Sequence, residues 1–178
     1  HDTPRILTLL GGEPVPESKE ARAGARLSPA GYRLARQRLM LGTLLLYAFP
    51  GSPTVYYGDE AGMQGYEDPL NRRTYPWGQE DESLSAWYRR LGQLRRERLS
   101  LQVGQIRNLY AAGGGLVLER QAEAEVTVAA LNAGAEDLES AIPWAGALAT
   151  DAMTGQQFLA ADGIVRLILP GRSGVLLI

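Results

Sequence analysis

The spacing of apolar residues changes once along this 178-residue chain, near residue 102, and that change limits the architectures open to it. Before it, apolar residues recur every three or four positions; after it, they alternate. Ser28-Pro29 reads as an N-cap followed by proline at the first helical position, and predicts a helix over 30–48. On that helix Leu34, Leu41, Leu45 and Ala48 share one face, with Arg33, Arg36 and Arg38 toward solvent, and from Leu41 onward the apolar character is nearly all round. Leu84, Trp87, Tyr88, Leu91 and Leu94 predict a second helix over 83–99. Between them Pro53-Thr54-Val55-Tyr56-Tyr57 reads as a buried parallel strand, followed by a long polar loop over 58–81. Helix, strand, long loop and helix make one repeat of an α/β barrel or a doubly wound sheet.

Beyond Leu101, alternating segments at 105–110, 116–121, 125–132, 139–142, 147–151, 163–169 and 175–178 are separated by Gly-, Asn- and Pro-bearing turns. Seven or eight short strands at this spacing predict an antiparallel β-sandwich. The expected fold class is therefore α/β followed by all-β, with the boundary near 102–104. Upstream of the first helix, Ile6 to Leu10 is a short apolar run closed by Gly11-Gly12. Residues 11–29, rich in Gly, Pro and Glu, read as an exposed loop. At the very start, His1-Asp2-Thr3-Pro4-Arg5 reads as a strand turning into a helix, with Thr3 placed to cap and Pro4 in the first turn.

Composition removes several function classes. A formal net charge of −2 leaves no basic excess to displace phosphate counterions, which argues against a nucleic-acid surface. No cysteine and a single histidine leave no disulfide, thiolate site or histidine cluster for a metal, while the compartment stays undecided. The longest apolar stretch, 39–49, is too short to span a bilayer. No cofactor is implied.

Most of the chemistry-bearing side chains fall in the 58–77 loop: Asp59, Glu60, Glu67, Asp68, Arg72, Arg73, Tyr75 and Trp77. Carboxylates and guanidinium forks hydrogen-bond vicinal hydroxyls and aromatic rings stack on sugar faces, so these residue types suit a polyhydroxylated ligand. They equally suit a structural loop held by internal ion pairs: Asp59 and Glu60 pairing with arginines, Asp68 with Arg72 across a turn, Trp77 by loop packing. Trp87 and Tyr88 read as core. Trp144 is open to both packing and carbohydrate contact.

Three motifs in order resemble those of the α-amylase family of glycoside hydrolases. His1-Asp2-Thr3-Pro4-Arg5 looks like its fourth conserved region, and Gly51-Ser52-Pro53-Thr54-Val55-Tyr56-Tyr57-Gly58-Asp59-Glu60-Ala61-Gly62-Met63 like its eighth-strand region. Asp68-Pro69-Leu70-Asn71-Arg72-Arg73 with Pro76-Trp77 is similar to the neopullulanase, cyclomaltodextrinase and amylopullulanase branch. The resemblance implies the last part of a (β/α)₈ barrel over 1–102, then a C-terminal antiparallel β-sandwich over 103–178. It implies retaining hydrolysis of α-1,4 or α-1,6 glucosidic bonds through a glycosyl-enzyme. The nucleophile and acid/base of that reaction belong to strands upstream of these residues, so the chain alone is expected to be inactive. Asp2 is expected to bind the 2- and 3-hydroxyls of the scissile sugar as transition-state stabiliser, His1 to donate to a hydroxyl of the same sugar, and Asp68 and Arg72 to bind the next glucose. The expected partner is an α-glucan or maltooligosaccharide, with self-association or pairing with the rest of the barrel; no metal site, nucleic acid or membrane is expected. Residues 13–26 look inserted relative to the family pattern. A noncatalytic carbohydrate-binding or interaction module built on the sandwich is the competing reading.

Overall fold

A computed structural model describes residues 2–178. They divide into two compact units, one formed by residues up to Met40 with Thr54–Tyr88, the other by Leu41–Pro53 with Arg89–Ile178.

The first unit holds α1 (Ile6–Leu10), α2 (Lys19–Gly24), the first part of α3 (Pro29–Ala48) and the first part of α4 (Glu82–Glu97). Ser28 begins α3 as expected: its hydroxyl accepts the Gly31 N–H at 3.0 Å, and the Glu13 carboxylate takes the Ser28 N–H at 3.1 Å. Asp81 caps α4 by accepting the N–H groups of Ser83 and Leu84, both at 3.0 Å. Leu7, Ala35, Leu39 and Leu84 form the core of this unit, with Leu10, Leu27, Tyr32 and Met40 around it. The buried stripe of α3 here is Gly31, Ala35 and Leu39, and Leu34 is only half-buried, so the face expected from Leu34 is rotated. Small residues at 31 and 35 let neighbouring chain approach closely: a Cβ on Gly31 would collide with the Glu13 side chain. Two local expectations are corrected. Residues 11–29 contain α2, opened by Ser18, whose hydroxyl accepts the Ala21 N–H at 3.1 Å. Thr3 and Pro4 stand outside α1, which has Arg5 at its N-cap and no side-chain cap.

The expected strand at 53–57 is also corrected, for no strand forms there. Among the described residues no neighbouring strand offers it ladder hydrogen bonds, and a strand exists only by such pairing. Instead the segment opens the long 58–81 loop of the first unit.

Two four-stranded antiparallel sheets make up the second unit. In order they are β1 (Gln105–Ala112), β2 (Gly115–Ala122), β3 (Glu125–Asn132) and β8 (Ser173–Leu177), then β4 (Leu138–Pro143), β7 (Ile164–Leu169), β6 (Gln157–Ala161) and β5 (Leu148–Thr150). The alternating pattern is most regular in β7, where Val165, Leu167 and Leu169 are buried and Arg166 and Ile168 exposed. They meet Val117, Val128, Ala130, Ile142, Ala149 and Leu177 in the core between the sheets. Along one edge the sheets join through an Asp151–Leu177 bridge and reciprocal hydrogen bonds between Thr150 and Ile178. The strand at 157–161 does not stand out in the sequence pattern, because Gln157 and Ala160–Ala161 blur the alternation.

Strands β2 and β3 are buried on both faces over most of their length. Their second face is covered by the helical segments of the same unit, including α5 (Leu99–Val103). Arg120, 2% exposed, ties this layer down: its guanidinium donates to the Gly104 carbonyl at 2.8 and 3.0 Å and to the Ala48 carbonyl at 2.7 Å.

Candidate active-site loop

Arg5 is the centre around which the 56–73 loop is wound. Its guanidinium is completely shielded from solvent. It donates to Asp59 Oδ1 at 3.1 Å, to the Asn71 carbonyl at 2.8 Å and to the Tyr57 carbonyl, and lies over the rings of Tyr56 and Tyr57 at 4.3 and 4.6 Å. Its own N–H donates to the Gly65 carbonyl at 2.8 Å. Asn71 returns the contact, its side-chain amide donating to the Thr3 carbonyl at 2.8 Å. Burial pushes the Asp59 carboxyl up from its ordinary pKa, against the lowering effect of Arg5, and neighbouring Glu60 adds to the rise. The Glu60 carboxylate turns back to the Gly58 N–H at 2.9 Å. Asp59 is thus a structural partner of an arginine, while Glu60 closes a turn.

This clamp brings three of the four expected site residues together. Arg72 Nε donates to Asp68 Oδ1 at 2.7 Å, and Arg72 Nη2 stands 4.0 Å from Asp2 Oδ1. All three side chains are substantially exposed. Exposed pairs contribute only about 0–1 kcal/mol to stability, so fold maintenance does not account for the cluster. The fourth residue, His1, lies outside the described residues. Trp77 is 81% exposed, and its ring is tilted against that of Tyr75 in the same loop at a centroid distance of 4.5 Å. Tyr88 is buried as expected, Trp87 half-buried.

Two features were missed from sequence. Arg5 lies inside the His1–Arg5 motif, but nothing in its neighbours marks it as the buried organiser; that role needs Asp59 and Asn71, more than fifty residues away. The second is the tie from 16–23 to the loop. Arg22 pairs with Glu67 and donates to the Pro16 carbonyl at 2.6 Å, and Arg73 donates to the Ala23 carbonyl at 2.5 Å. The segment that looked inserted therefore braces the loop carrying Asp68 and Arg72. Among the described residues no group of three or more His, Cys, Asp or Glu is placed to hold a metal, and no helix is long and apolar enough to cross a membrane.

No family model matches the chain. Individual relatives do. Over 113 residues it is 42% identical to an amylopullulanase from Thermoanaerobacter thermohydrosulfuricus, a match covering 64% of this chain and 7% of that one. Over 134 residues it is 33% identical to a cyclomaltodextrinase from Thermoanaerobacter pseudethanolicus, covering 74% and 20%. The crystal structure of an Anoxybacillus α-amylase superposes on 88% of the chain with a TM-score of 0.75 at 27% identity, covering 36% of that enzyme. The chain is thus homologous to named α-glucan hydrolases, and its structural neighbours are α-amylase family enzymes. It spans between 7% and 20% of the length of these two curated relatives. A debranching enzyme from Nostoc punctiforme superposes on 99% of it, with a TM-score of 0.71 at 29% identity and 34% of that enzyme covered. The likeness thus extends over both compact units.

Proposed function

We propose that this chain supplies the sugar-holding end of the active site of an α-glucan-acting hydrolase. In this reading 1–102 is the last part of a (β/α)₈ barrel and 103–178 its C-terminal sandwich domain. The observation that carries it is the exposed Asp2–Arg72–Asp68 cluster, held by the Arg5 clamp in a chain whose relatives are named amylopullulanase and cyclomaltodextrinase. Two carboxylates about a guanidinium offer acceptors and donors to vicinal hydroxyls. Asp2 binds the 2- and 3-hydroxyls of the scissile glucose, in bonds that shorten as the ring flattens toward the oxocarbenium ion; each charge-assisted bond contributes about 1.5–3 kcal/mol. His1 donates to the same sugar. Asp68 and Arg72 hold the next glucose.

The carboxylate nucleophile and acid/base come from outside these 178 residues, in keeping with the small share of its relatives that the chain spans. The rest of the barrel also completes the ladder that 53–57 lacks and covers the exposed Ile6 and Leu9. Alone, the chain is inactive. Incubation with maltooligosaccharides, pullulan and cyclodextrin is expected to release no reducing sugar, and reproducible release would overturn the assignment. Supplied with the complementary barrel segment, it should gain activity that D68A and R72A reduce; wild-type rates in both variants would remove those residues from the site.

A further inference from the structure

The sandwich unit has an open cleft of about 530 Å³, within the roughly 300–1,000 Å³ typical of small-molecule sites. It opens where the inward-facing side of β2 passes from Val117, a core residue, to Glu119. Glu119 is 8% exposed and lies directly across the strand pair from Arg107, which grips it with two parallel hydrogen bonds: Nε to Oε1 and Nη2 to Oε2, both 3.0 Å. The pair holds the Arg107 guanidinium above its ordinary pKa. A second charged pair completes the polar lining. Arg98 donates to the Val126 carbonyl at 3.0 Å, and its Nε is 3.6 Å from Glu125 Oε1. The Nη1 groups of Arg98 and Arg107 meet no protein acceptor among the described residues.

Stability does not account for this arrangement. The Glu119 side chain is 10% exposed but that of Arg107 is 65% exposed; a pair open to water on its cationic side contributes only about 0–1 kcal/mol, so a carboxylate at the end of a hydrophobic strand face points to another use. The remaining lining is apolar, with one aromatic ring, Trp144. Trp144 packs partly against the core, and its indole N–H donates to the Leu148 carbonyl at 3.0 Å, which fixes the ring while leaving it at the cleft. A fixed ring beside guanidinium donors and carboxylate acceptors suits a pyranose: the ring meets its apolar face, the forks its hydroxyls. Each arginine is balanced by a glutamate, so the cleft has no net charge to attract a phosphate or an acidic peptide. A neutral polyol fits it better.

We propose that this cleft is a noncatalytic site for an α-linked gluco-oligosaccharide, with Trp144 as the stacking platform and Arg107–Glu119 as the hydroxyl-binding pair. That the sugar is an α-glucan rests on the function proposed above. Glu119 is held by Arg107, and Glu125 accepts the Ser100 N–H at 2.6 Å beside Arg98, so neither is set as a nucleophile and the site holds sugar without cleaving it.

Calorimetric titration of the 178-residue chain with maltoheptaose tests this. Saturable binding is expected, weakened roughly ten-fold or more by W144A and by the double change R107Q/E119Q, and largely kept by W144F. The double change removes both charges together, so no uncompensated carboxylate is left to unfold the sheet; it decides the matter should W144A fail to fold. D68A and R72A should leave this binding intact. Absence of saturable binding, or wild-type affinity in both W144A and R107Q/E119Q, would overturn the proposal. Loss confined to D68A and R72A would also overturn it, while leaving the active-site reading standing. Equal affinity for cellohexaose would overturn the assignment to α-glucan.

Discussion

Replacing Arg5 with methionine is the sharpest probe of how the loop carrying Asp68 and Arg72 is held. Methionine keeps much of the volume and removes the cation, so Asp59 is left buried without its partner 3.1 Å away, and the carbonyls of Asn71 and Tyr57 lose their donor. Breaking a buried pair from one side costs about 3–5 kcal/mol, and the carbonyl bonds belong to the same group, so they are not added on top. One effect works the other way. Burial already raises the Asp59 pKa, and without Arg5 it rises further, so Asp59 escapes part of the penalty by taking up a proton. A carboxyl whose folded pKa exceeds its unfolded one stabilises the fold as pH falls through the folded value. The expected loss is therefore about 3–4 kcal/mol at neutral pH, shrinking toward pH 5. Adding Asp59→Leu to R5M should restore about 1–2 kcal/mol, because the stranded carboxylate is gone. Urea unfolding followed by near-ultraviolet circular dichroism measures all three variants. A loss below about 1 kcal/mol in R5M, or no recovery in R5M/D59L, would refute the account of Arg5 as the loop's organising charge.

Two further perturbations bear on the same unit. Burial pushes the Asp81 carboxyl upward, but its bonds to Ser83, Tyr32 and Leu84 and the nearby Arg36 outweigh that and hold it below the usual range. Its stabilisation is then present above the unfolded pKa and lost as pH falls through the lower folded value. D81A should cost about 1–2 kcal/mol at pH 7 and flatten the acid limb of the stability profile below about pH 4, which denaturation at several pH values will show. Gly65→Ala places a Cβ against the Leu70 carbonyl oxygen, a backbone atom that cannot swing aside. The loop carrying Asp68 and Arg72 must shift, at about 1–3 kcal/mol, and an unchanged melting temperature would show that it is slack instead.

Particular residues show how far local pattern reached. Ser28-Pro29 marked the start of α3 within a residue, because a cap and a first-turn proline act on their own neighbours. Alternation located β7 and β3 for the same reason: Val165, Leu167 and Leu169 need only their own strand to point inward. The segment 53–57 misled, since its β-branched and aromatic residues satisfy strand preference without a neighbour to pair with. Leu34 misled in turn, because the buried stripe of α3 follows the small residues Gly31 and Ala35, whose value depends on what lies against them. Asp68 and Arg72 were legible as a pair four residues apart, and their ion pair forms at 2.7 Å. That Asp2 joins them was legible only through the family resemblance.

By itself, the sequence determined the helical and alternating halves, the caps, most of the strands and the family, all of which depend on spacing along the chain. Tertiary structure alone decided that Arg5 lies at the centre of the loop, that residues 16–23 brace it, and that Glu119 meets Arg107 beside Trp144. Those contacts join residues separated by 12 to 66 positions. Burial and charge partnership are properties of such meetings, and no single stretch of chain contains them.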